Sequence, residues 1–190
     1  VRSLVRGPGR FSTTTALRGI DTSERERGLF AAEGDPGLDW LARWQFRLYR
    51  QDSATRQRSL QEIAPTPPRT PAQVRDRLFA LDQRSQGAEL TLNSRFDTAA
   101  LAHDLVWGMS LRRDRFTQFR DGIQIRRDTG QVSNVILGEV LPVRDFPNSR
   151  TGEDALYLQD DIALGGSGFS LVAGLRHERY RLEAEADPLF

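Results

Sequence analysis

The chain has 190 residues, 27 arginines, no lysine and 26 acidic residues, leaving a net charge of +1, a balance that gives no footprint for nucleic acid. Cysteine is absent, which excludes a disulfide framework, a thiolate metal site and a thiol nucleophile. No run of about 18 apolar residues occurs, so there is no transmembrane helix, although the strands of a β-barrel escape that test because half of each faces a polar lumen.

Residues up to about Ile20 read as a loop with a break at Gly7-Pro8-Gly9. Val1–Gly9 lack the apolar core of a signal peptide. A first strand covers about Ser23 to Glu33, followed by a short turn, Gly34-Asp35-Pro36-Gly37-Leu38. The clearest strand runs from Trp40 to Gln51. Trp40, Ala42, Trp44, Phe46 and Leu48 fall on one parity; Leu41, Arg43, Gln45, Arg47 and Tyr49 fall on the other. Because strand side chains alternate faces, one face is apolar and the other charged. A polar segment centred on Pro65–Pro71 cannot be central sheet, since prolines remove ladder donors.

The next strand descends from about Val74 to Phe96, with a bulge expected at Gln86-Gly87. On it Ala88, Leu90, Leu92 and Phe96 share a face, with Ser94 as the one polar miss. After a short turn at Asp97–Leu101, His103, Leu105, Trp107, Met109 and Leu111 continue the apolar face upward. Residues 113–153 form a second long connection, expected to contain a hairpin above the membrane that turns at Asp128-Thr129-Gly130. The strand from about Ala155 to Leu164 puts Asp160 on its apolar face, which requires a bulge or another register. Gly165-Gly166-Ser167-Gly168 makes the third short turn, and Phe169, Leu171, Ala173 and Leu175 form the apolar face of the last strand. Residues 186–190 read as loop.

Short turns thus alternate with long Arg/Asp-rich connections, as the periplasmic turns and extracellular loops of an outer-membrane barrel do. Trp40, Phe96 and Phe169 flank the short turns as an aromatic girdle would, and Tyr49, Tyr157 and Tyr180 suggest a second girdle at the other membrane interface. A membrane-crossing strand needs about 9–11 residues, which Trp40–Leu48 nearly supplies. A soluble β-sandwich also alternates apolar and polar residues and stays open as an all-β binding module acting through its Arg-rich loops.

Several segments resemble a known family. Tyr49-Arg50-Gln51-Asp52-Ser53, Leu81-Asp82-Gln83, Arg120-Asp121-Gly122, Gly138-Glu139-Val140-Leu141-Pro142, Arg144-Asp145-Phe146-Pro147-Asn148-Ser149, Leu156–Ile162, Gly174–Tyr180 and Asp187-Pro188-Leu189-Phe190 are similar, in order, to segments of TonB-dependent outer-membrane receptors of the haem/haemoglobin (transferrin, lactoferrin) class. The resemblance implies an all-β fold: about six antiparallel strands of a 22-stranded transmembrane β-barrel, within the range of about 8 to 26 strands that such barrels span. It implies location in the outer membrane of a Gram-negative bacterium, contact with its lipid, and import of haem from free haem or a haemoprotein. Energy would come from TonB–ExbB–ExbD through an N-terminal plug. Signal peptide and plug are expected before Val1, and the family's haem-ligating histidine, set between two boxes absent here, after Phe190. A ferric-siderophore receptor of the same architecture is the alternative.

Candidate ligand contacts follow from the chemistry. His177 would offer an imidazole to haem iron if its register swung it inward. Arg120, Arg126 and Arg127, in the connection 113–153, would engage propionates or an acidic carrier surface through bidentate hydrogen bonds, or else pair with neighbouring aspartates to order the loop. His103 reads as a rim residue. Haem is expected as the transported ligand, with no resident cofactor and no metal site. No enzyme is expected: Arg126-Arg127 precede Asp128-Thr129-Gly130 where an aspartic protease needs apolar strand residues, and Gly165–Gly168 lacks the lysine of a phosphate loop.

Overall fold

A computed structural model describes residues 12–190; the expected Gly7-Pro8-Gly9 break and the reading of Val1–Gly9 lie outside them. Six long strands form one antiparallel meander: β1 (Thr14–Gly34), β2 (Arg43–Ile63), β3 (Gln73–Thr98), β4 (Leu101–Arg126), β8 (Asn148–Leu164) and β9 (Ser170–Glu185), in that spatial order. Between β4 and β8 lie three two-residue strands, β5 (Val132–Ser133), β6 (Val135–Ile136) and β7 (Glu139–Val140).

Cross-strand partners point to the same side of a sheet, so the register sorts every residue onto one of two faces. One face gathers Phe30, Phe46, Leu48, Leu90, Leu92, Leu105, Trp107, Met109, Leu156, Leu158, Leu171 and Leu175. Among the described residues nothing covers it: Phe30 is 59% exposed, Leu156 60% and Leu175 67%. A sandwich would bury this face against a second sheet. The described residues form one large layer, so the sandwich reading falls. On β4 the apolar run from Leu101 to Leu111 covers about 33 Å of strand and, at a tilt of about 45°, about 23 Å of height, close to the lipid-facing band of an outer-membrane barrel.

Both polar intrusions on this face find a partner within it, although Asp160 Oδ1 is buried without one. Ser94 is buried and accepts a hydrogen bond from Trp107 Nε1 at 3.1 Å. Asp160 needs neither bulge nor register change: β8 pairs continuously, and its carboxylate lies 2.7 Å from His103 Nδ1. The His103 ring also stacks on Phe96, with centroids 4.7 Å apart. A polar pair at the turn end of the band avoids an unpaired charge against hydrocarbon.

Other expectations need correction. β1 begins at Thr14, so residues 14–20 are strand rather than loop. β2 begins at Arg43; Trp40 and Leu41 belong to the turn, where Leu41 bridges Leu38, and Trp44 lies over Gly34 instead. Pairing through Gln86-Gly87 is uninterrupted on both sides, so no bulge exists there. Tyr49, Tyr157 and Tyr180 form no lipid girdle. They occupy the opposite, polar face, where Tyr49 lies against Gly87, and Tyr157 crosses Gly108 to place its hydroxyl 2.7 Å from Thr91 Oγ1. These glycines are required by contact: a Cβ on Gly108 would stand 2.1 Å from the Leu90 carbonyl oxygen.

The long connections are mostly strand. β3 and β4 are 26 residues each, far longer than a bilayer crossing needs, and β2 reaches Ile63 before the proline-rich turn. What makes these extensions look like loop in sequence is charge, and the charge is paired across strands. Asp52–Arg84 (2.6 Å), Arg56–Asp82 (2.8 Å) and Arg58–Asp76 (2.5 Å) link β2 to β3 above the apolar band. On the polar face within the band Arg47–Glu89 (3.8 Å) links β2 to β3, Arg43–Glu33 (2.6 Å) links β2 to β1, and Arg112 pairs with Asp114 along β4 (2.9 Å).

Candidate functional site

The polar face carries the elaborated chemistry of the sheet. Beyond β4 the chain turns at Asp128-Thr129-Gly130, as expected, and β5 pairs back on β4 through Gln124–Ser133 and Ile125–Val132. β6 and β7 form a hairpin whose two central residues, Leu137 and Gly138, both have positive φ (54° and 88°), the requirement of a type I′ turn. The chain then runs antiparallel along the edge of β4, beyond the end of its pairing with β8. Arg120 and Val143 exchange backbone hydrogen bonds of 2.9 Å, and Leu141 and Ile136 are each only 3% exposed. Gly122 makes room for Leu141: a Cβ there would stand 3.1 Å from Leu141 Cδ1.

Two arginines fasten this connection. Arg120 reaches Glu139 of β7 (Nη2–Oε2 2.8 Å) and Asp145 (Nη1–Oδ1 2.5 Å), while buried Gln118 donates to Asp145 Oδ2 at 3.1 Å and accepts from its backbone N–H at 2.7 Å. Arg144 donates to the Gln118 carbonyl, to Asn148 Oδ1 (3.2 Å) and to Asp187 Oδ2 (2.7 Å), and its own N–H donates to the Leu189 carbonyl. Four segments separated in sequence, around Arg120, Glu139, Arg144 and Asp187, therefore converge on one point. Asp187 accepts the Leu189 N–H and the Arg144 guanidinium, which hold its carboxyl below the usual range.

Beside this fastening lies a polar cleft of about 420 Å³. Asp21, Gln57, Ser59, Arg77, Phe79 and Arg120 line it, with Leu141 as a lid edge. Arg77 has its Nε buried without a hydrogen-bond partner. Arg75, two residues earlier on the same face, donates to Gln124 Oε1 at 2.7 Å and has no carboxylate within ion-pair distance among the described residues. Burial first, and the charge of Arg77 second, lower its pKa. Arg77 on the cleft wall and Arg75 beside it thus have no carboxylate partner among the described residues, although Asp21 shares the wall, and free guanidinium forks are suited to an anion. Among the described residues, no group of three or more His, Asp or Glu side chains is placed to hold a metal ion.

The expected ligand contacts do not converge. Arg120 is on the cleft wall, engaged by Glu139 and Asp145. Arg126 pairs with Asp128 at 2.8 Å and Arg127 with Glu62 at 3.0 Å, at the far tip of β4. His177 lies on the opposite, apolar face of β9, across from Leu156.

The family model for the TonB dependent receptor-like β-barrel matches residues 3–188. The chain belongs to the TonB-dependent receptor β-barrel family. No curated protein matches it. Four solved chains do; among them the crystal structure of BauA, the ferric preacinetobactin receptor of Acinetobacter baumannii, is similar with a TM-score of 0.54 and 15% identity, over 90% of this chain and 26% of that one. The chain therefore spans about a quarter of that receptor's length, and the likeness is one of fold.

In a TonB-dependent receptor barrel the apolar face is the lipid wall and the polar face looks into the lumen. Sequence alone points to Arg120 but not to Arg75 or Arg77. They sit in what reads as a charged descending strand, and only the register shows that both lack carboxylate partners among the described residues where their neighbours are paired. A pH effect follows from the paired ones. Asp76 and Asp128 have carboxyl pKa values lowered by hydrogen bonds from Arg58 and Arg126. Folded values below unfolded ones stabilise the strand extensions above the ordinary carboxylate range of about 4, and that stability is lost as pH falls through the folded values. Hydrogen-exchange protection of the tips of β2–β4 is expected to be constant from pH 8 to 6 and to fall in acid, with the apolar band unaffected.

Proposed function

We propose that this chain forms part of the wall of an outer-membrane receptor of a Gram-negative bacterium that imports haem, taken from free haem or a haemoprotein, by TonB-coupled active transport. Family membership supports the receptor and the motif series supports the haem class. The observation that carries the ligand reading is the pair Arg75 and Arg77, facing the lumen without carboxylate partners. Propionates are planar, bidentate acceptors that match guanidinium forks. The plug, and through it TonB–ExbB–ExbD, would supply the energy from outside this segment, and the chain's own role is recognition and passage rather than catalysis.

A ferric siderophore is the second reading, and one observation favours it. His103 and His177 both lie on the outward face, so this wall offers haem iron no imidazole, whereas an anionic chelate would use the same arginines. The full-length receptor with Arg77→Gln is expected to bind its ligand about tenfold more weakly, the loss of one charge-assisted contact. Haemin titration followed by its Soret band, beside a ferric-siderophore titration followed by protein fluorescence, separates the readings. Haemin binding that weakens in the variant supports the first; weakening for the siderophore alone supports the second. Unchanged affinity for both removes the cleft from recognition.

A further inference from the structure

We propose that Thr98, His103 and Asp160 form a triad that hydrolyses an acyl ester of a glycerophospholipid at the turn end of the apolar band, an activity separate from import. The inference rests on the outer-membrane placement and on neither reading of the imported ligand.

The hydrogen bonds run in relay. Asp160 Oδ2 lies 2.7 Å from His103 Nδ1, and His103 Nε2 lies 2.7 Å from Thr98 Oγ1. A carboxylate only accepts, so in the neutral ring Nδ1 carries the proton, Nε2 is an acceptor and the threonine hydroxyl donates to it. This is the resting arrangement of a hydroxyl nucleophile, its general base and the carboxylate that orients the base. The ring is held in place: it stacks on Phe96 at an interplanar angle of 9° and is 11% exposed, and the Asp160 carboxylate is 18% exposed. Thr98, where a substrate would arrive, is exposed. The three residues come from β3, β4 and β8, none of them an edge strand of the sheet.

Stability does not account for this trio. Apolar residues of similar volume match or better a buried charged pair, and Asp160 keeps Oδ1 buried without a hydrogen bond. Ala99, directly after Thr98, holds φ at 54°, a region that residues other than glycine seldom enter and that clusters at functional sites when they do. The N–H groups of Ala99 and Ala100 have no backbone acceptor among the described residues. α/β-Hydrolases take an oxyanion donor from the N–H that follows their nucleophile, and Ala99 stands in that position.

Placement selects the substrate. The short turns of an outer-membrane barrel face the periplasm, so Thr98 stands where headgroups meet acyl chains. Leu105, directly opposite Asp160, continues the same face into the apolar band with Leu158 and Leu171, and an acyl chain would lie along it. Thr98 Oγ1 attacks the ester carbonyl carbon as its proton passes to His103 Nε2. Collapse of the tetrahedral intermediate breaks the bond to the glycerol oxygen, which takes that proton and leaves as lysophospholipid. Water, deprotonated by His103, then attacks the acyl-threonine; the fatty acid departs and Thr98 regains its proton. Thr98 and His103 are the catalytic residues, and Asp160, which acts through the ring, is a positioning residue.

The test uses the full-length receptor in mixed micelles of detergent and dioleoylphosphatidylethanolamine, with two readouts. One is release of fatty acid. The other is a long-chain alkyl fluorophosphonate, which loses fluoride to an activated hydroxyl, located by peptide mass spectrometry. Wild type is expected to release fatty acid and to carry the phosphonate on Thr98. Thr98→Val, of the same shape, is expected to lose both, and Thr98→Ser to retain both. Asp160→Asn is expected to lower kcat about a hundredfold with KM unchanged. Heat-modifiable migration establishes that each variant is folded. A folded wild type that releases no fatty acid and takes no phosphonate at Thr98 overturns the proposal. So does release that survives Thr98→Val, or an unchanged kcat in folded Asp160→Asn. Recovery in the outer-membrane fraction tests the placement separately, and affinity for the imported ligand is expected to be unchanged in Thr98→Val, since the cleft lies on the other face.

Discussion

Gly108→Val is expected to prevent assembly of the folded barrel. The added Cβ would stand 2.1 Å from the Leu90 carbonyl oxygen, 2.9 Å from the Tyr157 hydroxyl and 3.0 Å from its Cζ. Backbone cannot yield as a flexible side chain does. The substitution must separate β3 from β4 or expel the Tyr157 ring from its place across the strand, and overpacking of this kind costs about 3 kcal/mol or more. Tyr157→Phe removes only the 2.7 Å hydrogen bond to Thr91, a loss of about 1 kcal/mol, and is expected to assemble. Tyr157→Ala should not rescue Gly108→Val, because the clash with the Leu90 carbonyl remains. Heat-modifiable migration of the full-length receptor extracted from outer membranes reads the outcome. Normal recovery of folded Gly108→Val would show that neither the Leu90 carbonyl nor the Tyr157 ring approaches Gly108 this closely.

Arg144→Ala is expected to release the connection between β4 and β8 without unfolding the wall. Its side chain is 16% exposed and that of Asp187 28%, so truncation takes a donor at once from the Asp187 carboxylate, the Gln118 carbonyl and Asn148. Asp187 keeps the Leu189 N–H, but the tie between the two segments is gone. The loss falls on residues 132–147 and 187–190, which Arg144 ties to each other; the ladder of β4 with β3 is untouched. Limited proteolysis of the full receptor should cut within 132–147 far faster than in wild type, while heat-modifiability is retained. Arg144→Lys should protect only partly, because a single ammonium cannot span the three acceptors that the planar fork reaches. A cleavage rate equal to wild type would mean that Leu141, seated at Gly122, holds the connection by itself.

These two positions differ in how far sequence reveals them. Gly108 is one glycine in an apolar/polar alternation, and nothing local marks it as a crossing point for a tyrosine almost 50 positions later. Arg144 and Asp187 belong to segments that a family resemblance picks out separately, but their meeting is a property of the fold. The same holds for Ser94 and Asp160. As isolated residues they break the apolar pattern, and in the sheet Trp107 and His103 complete them diagonally. The tyrosines mislead for a related reason. Strand ends look like membrane interfaces, whereas parity puts Tyr49, Tyr157 and Tyr180 on the lumen side, and parity decides because side chains alternate along a continuously paired strand.

By itself the sequence determined the strand alternation, the one-sided apolar band, the three short turns and the family, because each is written in local period and short motifs. Tertiary structure alone decided how far the strands extend, since Arg and Asp that look like loop become strand once they pair across it. It decided that Arg75 and Arg77 lack carboxylate partners among the described residues, because they differ from their neighbours only in what register places opposite them. It also separated His177 from Arg120. Residues joined by a shared chemistry in the chain end on opposite faces when the sheet between them is one layer thick.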